Sequence, residues 1–223
     1  MYDWTTHVHN HLEGRCGHCC NYCYVQQNPH GVSPKYEGPA RLNERELEIA
    51  YGEKKTIFIE HMNDIFGPGI LTPWIKRILD HCRDWPNNRY VFQSKNPAGY
   101  FSVAADFPIS TLFGTTIETN WPMDRYSKAP APRERAEALL KIKLHRRDKV
   151  FITIEPIMEF DLDILMGWIE EIQPEFVNIG ADSKGCRLPE PSGQKIWMFI
   201  KELMKAGIQI KKKNNLGRLL EET

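Results

Sequence analysis

The chain has 223 residues, and its 29 Lys and Arg balance 29 Asp and Glu, so no global field draws it toward nucleic acid or an anionic membrane, although local patches stay open. That length suits one domain with a sizeable core, or at most two small ones, and no apolar run approaches the roughly twenty residues of a membrane span. Met1-Tyr2-Asp3-Trp4 begins without the basic or apolar region of a secretory signal, so a cytoplasmic, reducing environment is expected, where cysteines serve chemistry more readily than cross-linking.

In chain order, residues 3–11 predict a short first strand. His7, His9 and His11 alternate and would share one face, as a metal triplet or, the commoner arrangement, as hydrogen-bonded histidines. Cys16, Cys19, Cys20 and Cys23 then fall close together in a loop spanning 14–26. Adjacent thiolates repel unless a cation neutralises them. Three readings compete. A disulfide is disfavoured because neighbouring cysteines rarely reach bridging geometry. A zinc site would use Cys16-x-x-Cys19 and Cys20-x-x-Cys23, but these pairs lack the usual separation. An iron–sulfur loop would use Cys16-x-x-x-Cys20-x-x-Cys23 and leave Cys19 out.

Prolines and glycines mark irregular chain from Asn28 to Pro39, and Leu42 to Ala50 predicts a helix with Asn43 as its N-cap. A strand follows at 56–60, then a helix from Pro73 with Thr72 as N-cap. Strands at 89–93, 111–117, 150–154, 176–180 and 208–211 alternate with a short helix from Pro97 and helices at 132–144, 162–172 and 193–205. No linker or compositional break interrupts them. The pattern predicts one α/β domain over residues 1–223, either an open doubly wound sheet or a full or partial (β/α) barrel.

Both folds gather ligands at the carboxyl ends of their strands. Those ends carry Glu60 to Asp64, Ser94-Lys95-Asn96, Thr116-Ile117-Glu118, Glu155-Pro156 and Asp182-Ser183-Lys184, a polar mouth over an apolar barrel. Elsewhere, the basic run from Lys141 to Lys149 reads as a solvated helix end. Cys82 lies on an apolar stripe with Ile75, Ile78 and Leu79, and Trp74, Trp168 and Trp197 read as helix-face packing.

With these residues in order, the chain resembles the radical S-adenosylmethionine (SAM) superfamily, through the cysteine spacing and the aromatic Tyr22 before the third cysteine. More narrowly, it resembles a compact, phage-associated family of radical-SAM-like proteins distantly akin to spore photoproduct lyase. Trp4, Cys20 to Tyr24, Met62 to Phe66, Ser94 to Pro97, Gly114 to Glu118, Glu155-Pro156, Gly180 to Ser183 and Ala206-Gly207 leading to Lys213 carry the resemblance. Ala181 stands where that family has glycine, Asp182 where it has glutamate, and Cys19 is an additional thiol.

The resemblance implies a single-domain partial (β/α)6 barrel and a radical SAM enzyme. Cys16, Cys20 and Cys23 would hold a 4Fe-4S cluster, SAM would be cleaved reductively, and the resulting radical would abstract hydrogen from a substrate. Tyr22 would lie against the adenine, and Asn63 or Asp64 near the methionyl amino group. Ser94, Lys95 and Glu118 would serve the SAM carboxylate and ribose, with Thr116, Glu155 and Asp182 also at the cofactor. The alternative for Lys95 and Glu118 is a structural ion pair across the mouth. Such an enzyme needs an electron donor such as flavodoxin or ferredoxin. Cys186, in the loop after the sixth strand, is either a packed loop cysteine or a hydrogen-atom donor. In the second case the substrate would be a nucleobase or nucleotide, with Lys184, Arg187 and Lys213 near its phosphate. The rival from another class is a non-enzymatic zinc-binding adaptor folded around the clustered cysteines.

Overall fold

The computed structural model describes residues 2–220. Met1 and residues 221–223, which the sequence reading counts in its one domain, lie outside the described residues. The strands are β1 (His7–His9), β2 (Leu12–Glu13), β3 (Arg41–Leu42), β4 (Thr56–Ile59), β5 (Arg89–Ser94), β6 (Thr111–Thr116), β7 (Lys149–Ile154), β8 (Phe176–Ile179) and β9 (Gln209–Lys212). β2 and β3 form a small antiparallel ribbon. The other seven make one parallel sheet in the order β1-β4-β5-β6-β7-β8-β9, whose edges β1 and β9 do not pair with each other. Helices α1 (Thr72–Arg83), α2 (Pro132–Arg146), α3 (Leu162–Ile172) and α4 (Gly193–Lys205) and a 3-10 segment (Pro97–Val103) cross between successive strands, and α5 (Gly217–Leu220) follows β9. The architecture is a partial (β/α) barrel. No helix among the described residues is long and apolar enough to cross a membrane.

Both faces of the sheet are covered, as a parallel sheet requires. On the outside, strand residues such as Ile57, Phe92 and Ile152 pack against the apolar stripes of the helices. One such stripe is Ile75, Ile78, Leu79 and Cys82 on α1, at the spacing that keeps one helical face toward the core. On the inside, alternate residues build layers. Phe58, Val91, Leu112, Phe151 and Phe176 form an apolar floor, closed by Tyr2 and Trp4 from the N-terminal segment. Tyr2 stacks on Trp4 at 5.2 Å between ring centroids, and Trp4 meets Phe176 edge-on at 5.0 Å. Two positions further along the strands the interior turns polar. Gln93 donates to the Thr116 hydroxyl at 3.1 Å, Asn178 donates to the Thr153 hydroxyl at 3.1 Å, and the Tyr2 hydroxyl reaches Gln93 at 3.0 Å.

Three sequence expectations are revised. Residues 42–50 do not form a helix: Leu42 ends β3 and Glu44–Glu48 is a 3-10 turn with no buried residue and no Asn43 side-chain cap. Only Leu42 and Leu47 of this stretch pack against the core, and both are partly buried, so a short polar segment gains too little to offset α-helix nucleation. At α1 the N-cap is Leu71, with Thr72 the first helical residue. Trp197 is 40% exposed, with the Lys212 ammonium 5.3 Å from its ring, whereas Trp74 and Trp168 do pack against the core. His7, His9 and His11 form no triplet: their Nδ1 atoms lie 3.0 Å from the Thr6 hydroxyl, 2.8 Å from Glu46 and 2.9 Å from Glu60 respectively.

Gly114 pairs in register with Phe151 and leaves room for its ring, since a Cβ there would fall 2.2 Å from the ring carbons. Gly114→Ala is therefore expected to lower unfolding stability by about 1–3 kcal/mol, the usual range for overpacking a tight core. Urea denaturation should show this, with partial recovery in the Gly114→Ala/Phe151→Leu double variant. A single variant as stable as wild type would refute the packing of this interior.

Candidate active site

A cavity of about 840 Å³ occupies the barrel interior and the carboxyl ends of the strands, with the cysteine loop along one wall. Cys16, Cys20 and Cys23 line it. Cys19 does not: its backbone takes a left-handed φ of 49° and its Sγ lies 3.8 Å from the Cys16 carbonyl. The loop is fixed from two sides. The Asn21 amide donates to the Tyr126 carbonyl at 2.9 Å, and the Lys128 amide to the His18 carbonyl at 2.7 Å. Gly17 allows the loop to approach the 64–68 turn, because a Cβ there would fall 2.3 Å from the Pro68 carbonyl oxygen.

The donor set suits a cationic cluster. Burial, reinforced by the Asp64 carboxylate, pushes the Cys16 thiol up to about 12. His18 lines the same cavity, and its buried Nδ1 has no hydrogen-bond partner among the described residues. No three His, Cys, Asp or Glu side chains among the described residues are grouped to hold a single ion. The three thiols share a wall without converging on one point.

Asp64 ties the cysteine loop to the end of β5. Its Oδ2 lies 2.9 Å from His18 Nε2 and accepts the Lys95 amide at 2.7 Å. Its Oδ1 accepts the Ser94 hydroxyl at 2.7 Å and the Phe66 amide at 2.9 Å. Burial alone would raise this carboxyl, but these donors hold it below the usual carboxylate range. The Asn63 side chain is also engaged, accepting from the Asp64 amide at 2.9 Å and donating to the Gly14 carbonyl at 3.1 Å. Both residues line the cavity with their hydrogen-bonding atoms already in use.

Glu118 lies beneath the wall rather than on it, fully buried. Its Oε1 accepts the Tyr22 hydroxyl at 2.7 Å and pairs with the Lys95 ammonium, and its Oε2 accepts Arg135 Nη1 at 2.8 Å. Burial opposes ionisation, but Arg135 and then Lys95 outweigh it and hold the carboxyl far below its ordinary range. Lys95 and Tyr22 are the members of this group that reach the cavity, with the Lys95 Nζ 5.2 Å from the Tyr22 ring centroid. Two cations face one carboxylate, so the cavity side carries surplus positive charge at Lys95.

The opposite wall comes from β7 to β9. Glu155 pairs with Lys213 at 2.8 Å, and Lys184, Lys211 and Lys212 lie on the same side. Asp182 accepts the Lys184 amide at 2.9 Å and the Cys186 amide, which folds the loop after β8 back on itself. Cys186 packs with Tyr22, Met123, Met158 and Leu188, outside the cavity lining. Thr116 completes the polar interior through Gln93.

Sequence reading passed over several residues here. Gln93, Thr153 and Asn178 were available from strand alternation, each two positions beyond an apolar floor residue. Arg135 gave no local signal, since an arginine within Pro132-Arg133-Glu134-Arg135 looks solvent-facing. Ser127, 3.1 Å from Cys20 Sγ, is brought there by tertiary structure alone.

The sequence matches no family model and no curated protein. Among solved structures, a single-site variant of spore photoproduct lyase is similar, with a TM-score of 0.66 over 95% of this chain and 77% of that one, at 13% identity. Another variant of that enzyme, with bound AdoMet and dinucleoside spore photoproduct, gives 0.64 over 92% and 75% at 12% identity. SuiB of Streptococcus suis bound to S-adenosylmethionine gives 0.64 at 8% identity over 93% of this chain, which spans only 50% of SuiB. These are radical SAM enzymes, and the chain has their fold.

Removing Glu118 would leave Arg135 buried without its counter-charge, so Glu118→Ala should cost about 3–5 kcal/mol. The sign of the pH dependence follows from depressed carboxyls. Below the ordinary value of about 4 the unfolded chain takes up protons first. The stability due to Glu118 and Asp64 is thus complete above that pH and is lost as pH falls toward their folded values. Urea denaturation across a pH series should show the Glu118→Ala deficit shrinking in acid, and a deficit constant below about pH 4 would contradict the assignment.

Proposed function

We propose that this chain is a radical SAM enzyme in which Cys16, Cys20 and Cys23 hold a 4Fe-4S cluster and the adjoining cavity takes SAM. The observation that carries the reading is the cysteine loop itself. In a barrel with the radical SAM fold, those three thiols line the cavity at the strand ends while Cys19 turns away from it. When bound, the cluster supplies the electron that cleaves SAM reductively, with flavodoxin or ferredoxin as the class of donor.

The chain's own residues divide the remaining work. Lys95 meets the SAM carboxylate, as the cavity-facing cation of a group with surplus positive charge. Tyr22 stays a neutral phenol, because burial and then Glu118 raise its hydroxyl, and it presents its ring toward the adenine. Asp64 and Asn63 act through the loop, holding His18 and Gly14 in place, and Ser94 holds Asp64. Thr116, Glu155 and Asp182 shape the polar wall, and Glu118 acts through Lys95 and Tyr22. The reading gives Cys186 no step, since it packs outside the cavity wall. Lys184 and Lys212 on that wall, beside the Lys213–Glu155 pair, favour a substrate with an anionic group, a nucleotide before a bare nucleobase. The solved relatives carry a dinucleoside in one case and the precursor peptide SuiA in the other.

The zinc adaptor is not favoured, because Cys19, which that site requires, points at a backbone carbonyl. Anaerobic reconstitution followed by iron and zinc analysis separates the two. Wild type and Cys19→Ala should each bind about four irons, by cluster stoichiometry, and Cys16→Ala, Cys20→Ala and Cys23→Ala should each lose the site. Equal loss in all four variants, with zinc as the bound metal, would overturn the proposal.

A further inference from the structure

Ser127 has no part in the reading above, yet it is placed against one of the three thiols. It lies in the segment between β6 and α2, is 6% exposed, and its Oγ stands 3.1 Å from Cys20 Sγ. That segment is pinned on either side of it. The Tyr126 carbonyl accepts the Asn21 amide at 2.9 Å, the Lys128 amide donates to the His18 carbonyl at 2.7 Å, and the Ser127 amide donates to the Met123 carbonyl at 3.0 Å. The hydroxyl is therefore fixed relative to the cysteine loop by backbone contacts that no side-chain change removes.

Its hydrogen-bonding capacity is accounted for. A serine hydroxyl has one proton and two lone pairs. The Ala129 amide donates to Oγ at 3.1 Å, and the single proton has two acceptors within reach, the His18 carbonyl at 3.4 Å and Cys20 Sγ at 3.1 Å. A thiol can itself donate, and then the serine proton is free to face the carbonyl. A thiolate ligand has no proton and carries negative charge, so the shorter and stronger bond is O–H to sulfur. The other thiols differ. Cys16 receives the His18 backbone amide, and of the three candidate ligands Cys20 is the one with a hydroxyl partner among the described residues.

Hydrogen bonds to ligand sulfurs and the outer groups that make them set cluster potentials. We propose that Ser127 is the positioning residue that tunes the cluster through Cys20, making it easier to reduce by stabilising the extra electron of the reduced state. This rests on the cluster reading above. The couple is a one-electron reduction, with the electron delivered in the test by electrode mediators.

The experiment measures iron content and the reduction midpoint of reconstituted wild type, Ser127→Ala and Ser127→Thr. The alanine variant should keep its iron while its midpoint moves to more negative potential, by about a tenfold change in the reduction equilibrium, or about 59 mV for one electron. The threonine variant, which keeps the hydroxyl, should stay near wild type. An alanine midpoint equal to wild type overturns the proposal. So does a Ser127→Ala protein that loses iron while Ser127→Thr retains it, since Ser127 would then serve assembly rather than potential. Wild-type protein that takes up no iron fails separately, because it removes the cluster reading on which the proposal stands.

Discussion

Four parts of the chain converge on the buried carboxylate of Glu118: the cysteine loop through Tyr22, the end of β5 through Lys95, the end of β6 through Glu118 itself, and α2 through Arg135. A carboxylate in that position is tolerable only because two cations and a hydroxyl compensate it. Arg135 is likewise tolerable only because Glu118 is there. The arrangement makes the loop, the sheet and the helix mutually dependent. A second tie of the same kind, Asp64 between His18 and the start of the β5–β6 crossover, holds the other end of the loop. Ion pairs this deep contribute little net stability relative to apolar packing, and their value here is geometric.

The interior of the barrel runs from apolar to polar to charged along the strands. Its floor of phenylalanines and aliphatic residues excludes water, the layer of Gln93, Thr153 and Asn178 is internally hydrogen-bonded, and the mouth carries Lys95, Glu155 and Lys213. Such a gradient keeps bulk solvent away from the base of the cavity and concentrates charge at its mouth. Many of the carboxylates and amides near the mouth are already engaged by the protein. Lys95 is itself engaged by Glu118 and the Tyr22 hydroxyl, so the thiols keep the most capacity for a further partner.

Much of the fold was legible because its strands are buried on both faces and its helices carry clear apolar stripes. Phe176–Ile179 and Gly193–Lys205 follow the local pattern closely. Residues 42–50 misled because helical propensity was present with only Leu42 and Leu47 to pack against the core. The polar mouth was visible as a run of polar strand ends, but the sequence could not say which of those side chains face the cavity and which, like Glu118, tie the structure together beneath it. Arg135 and Ser127 owe their positions to contacts many residues away, and neither composition nor period carries that information.

The most direct test of the central claim is the electron paramagnetic resonance spectrum of the reconstituted, reduced protein before and after addition of SAM. If Cys16, Cys20 and Cys23 hold the cluster beside a cavity that takes SAM, adding SAM changes the signal. A reduced-cluster signal that SAM leaves unaltered at saturating concentration would contradict the account.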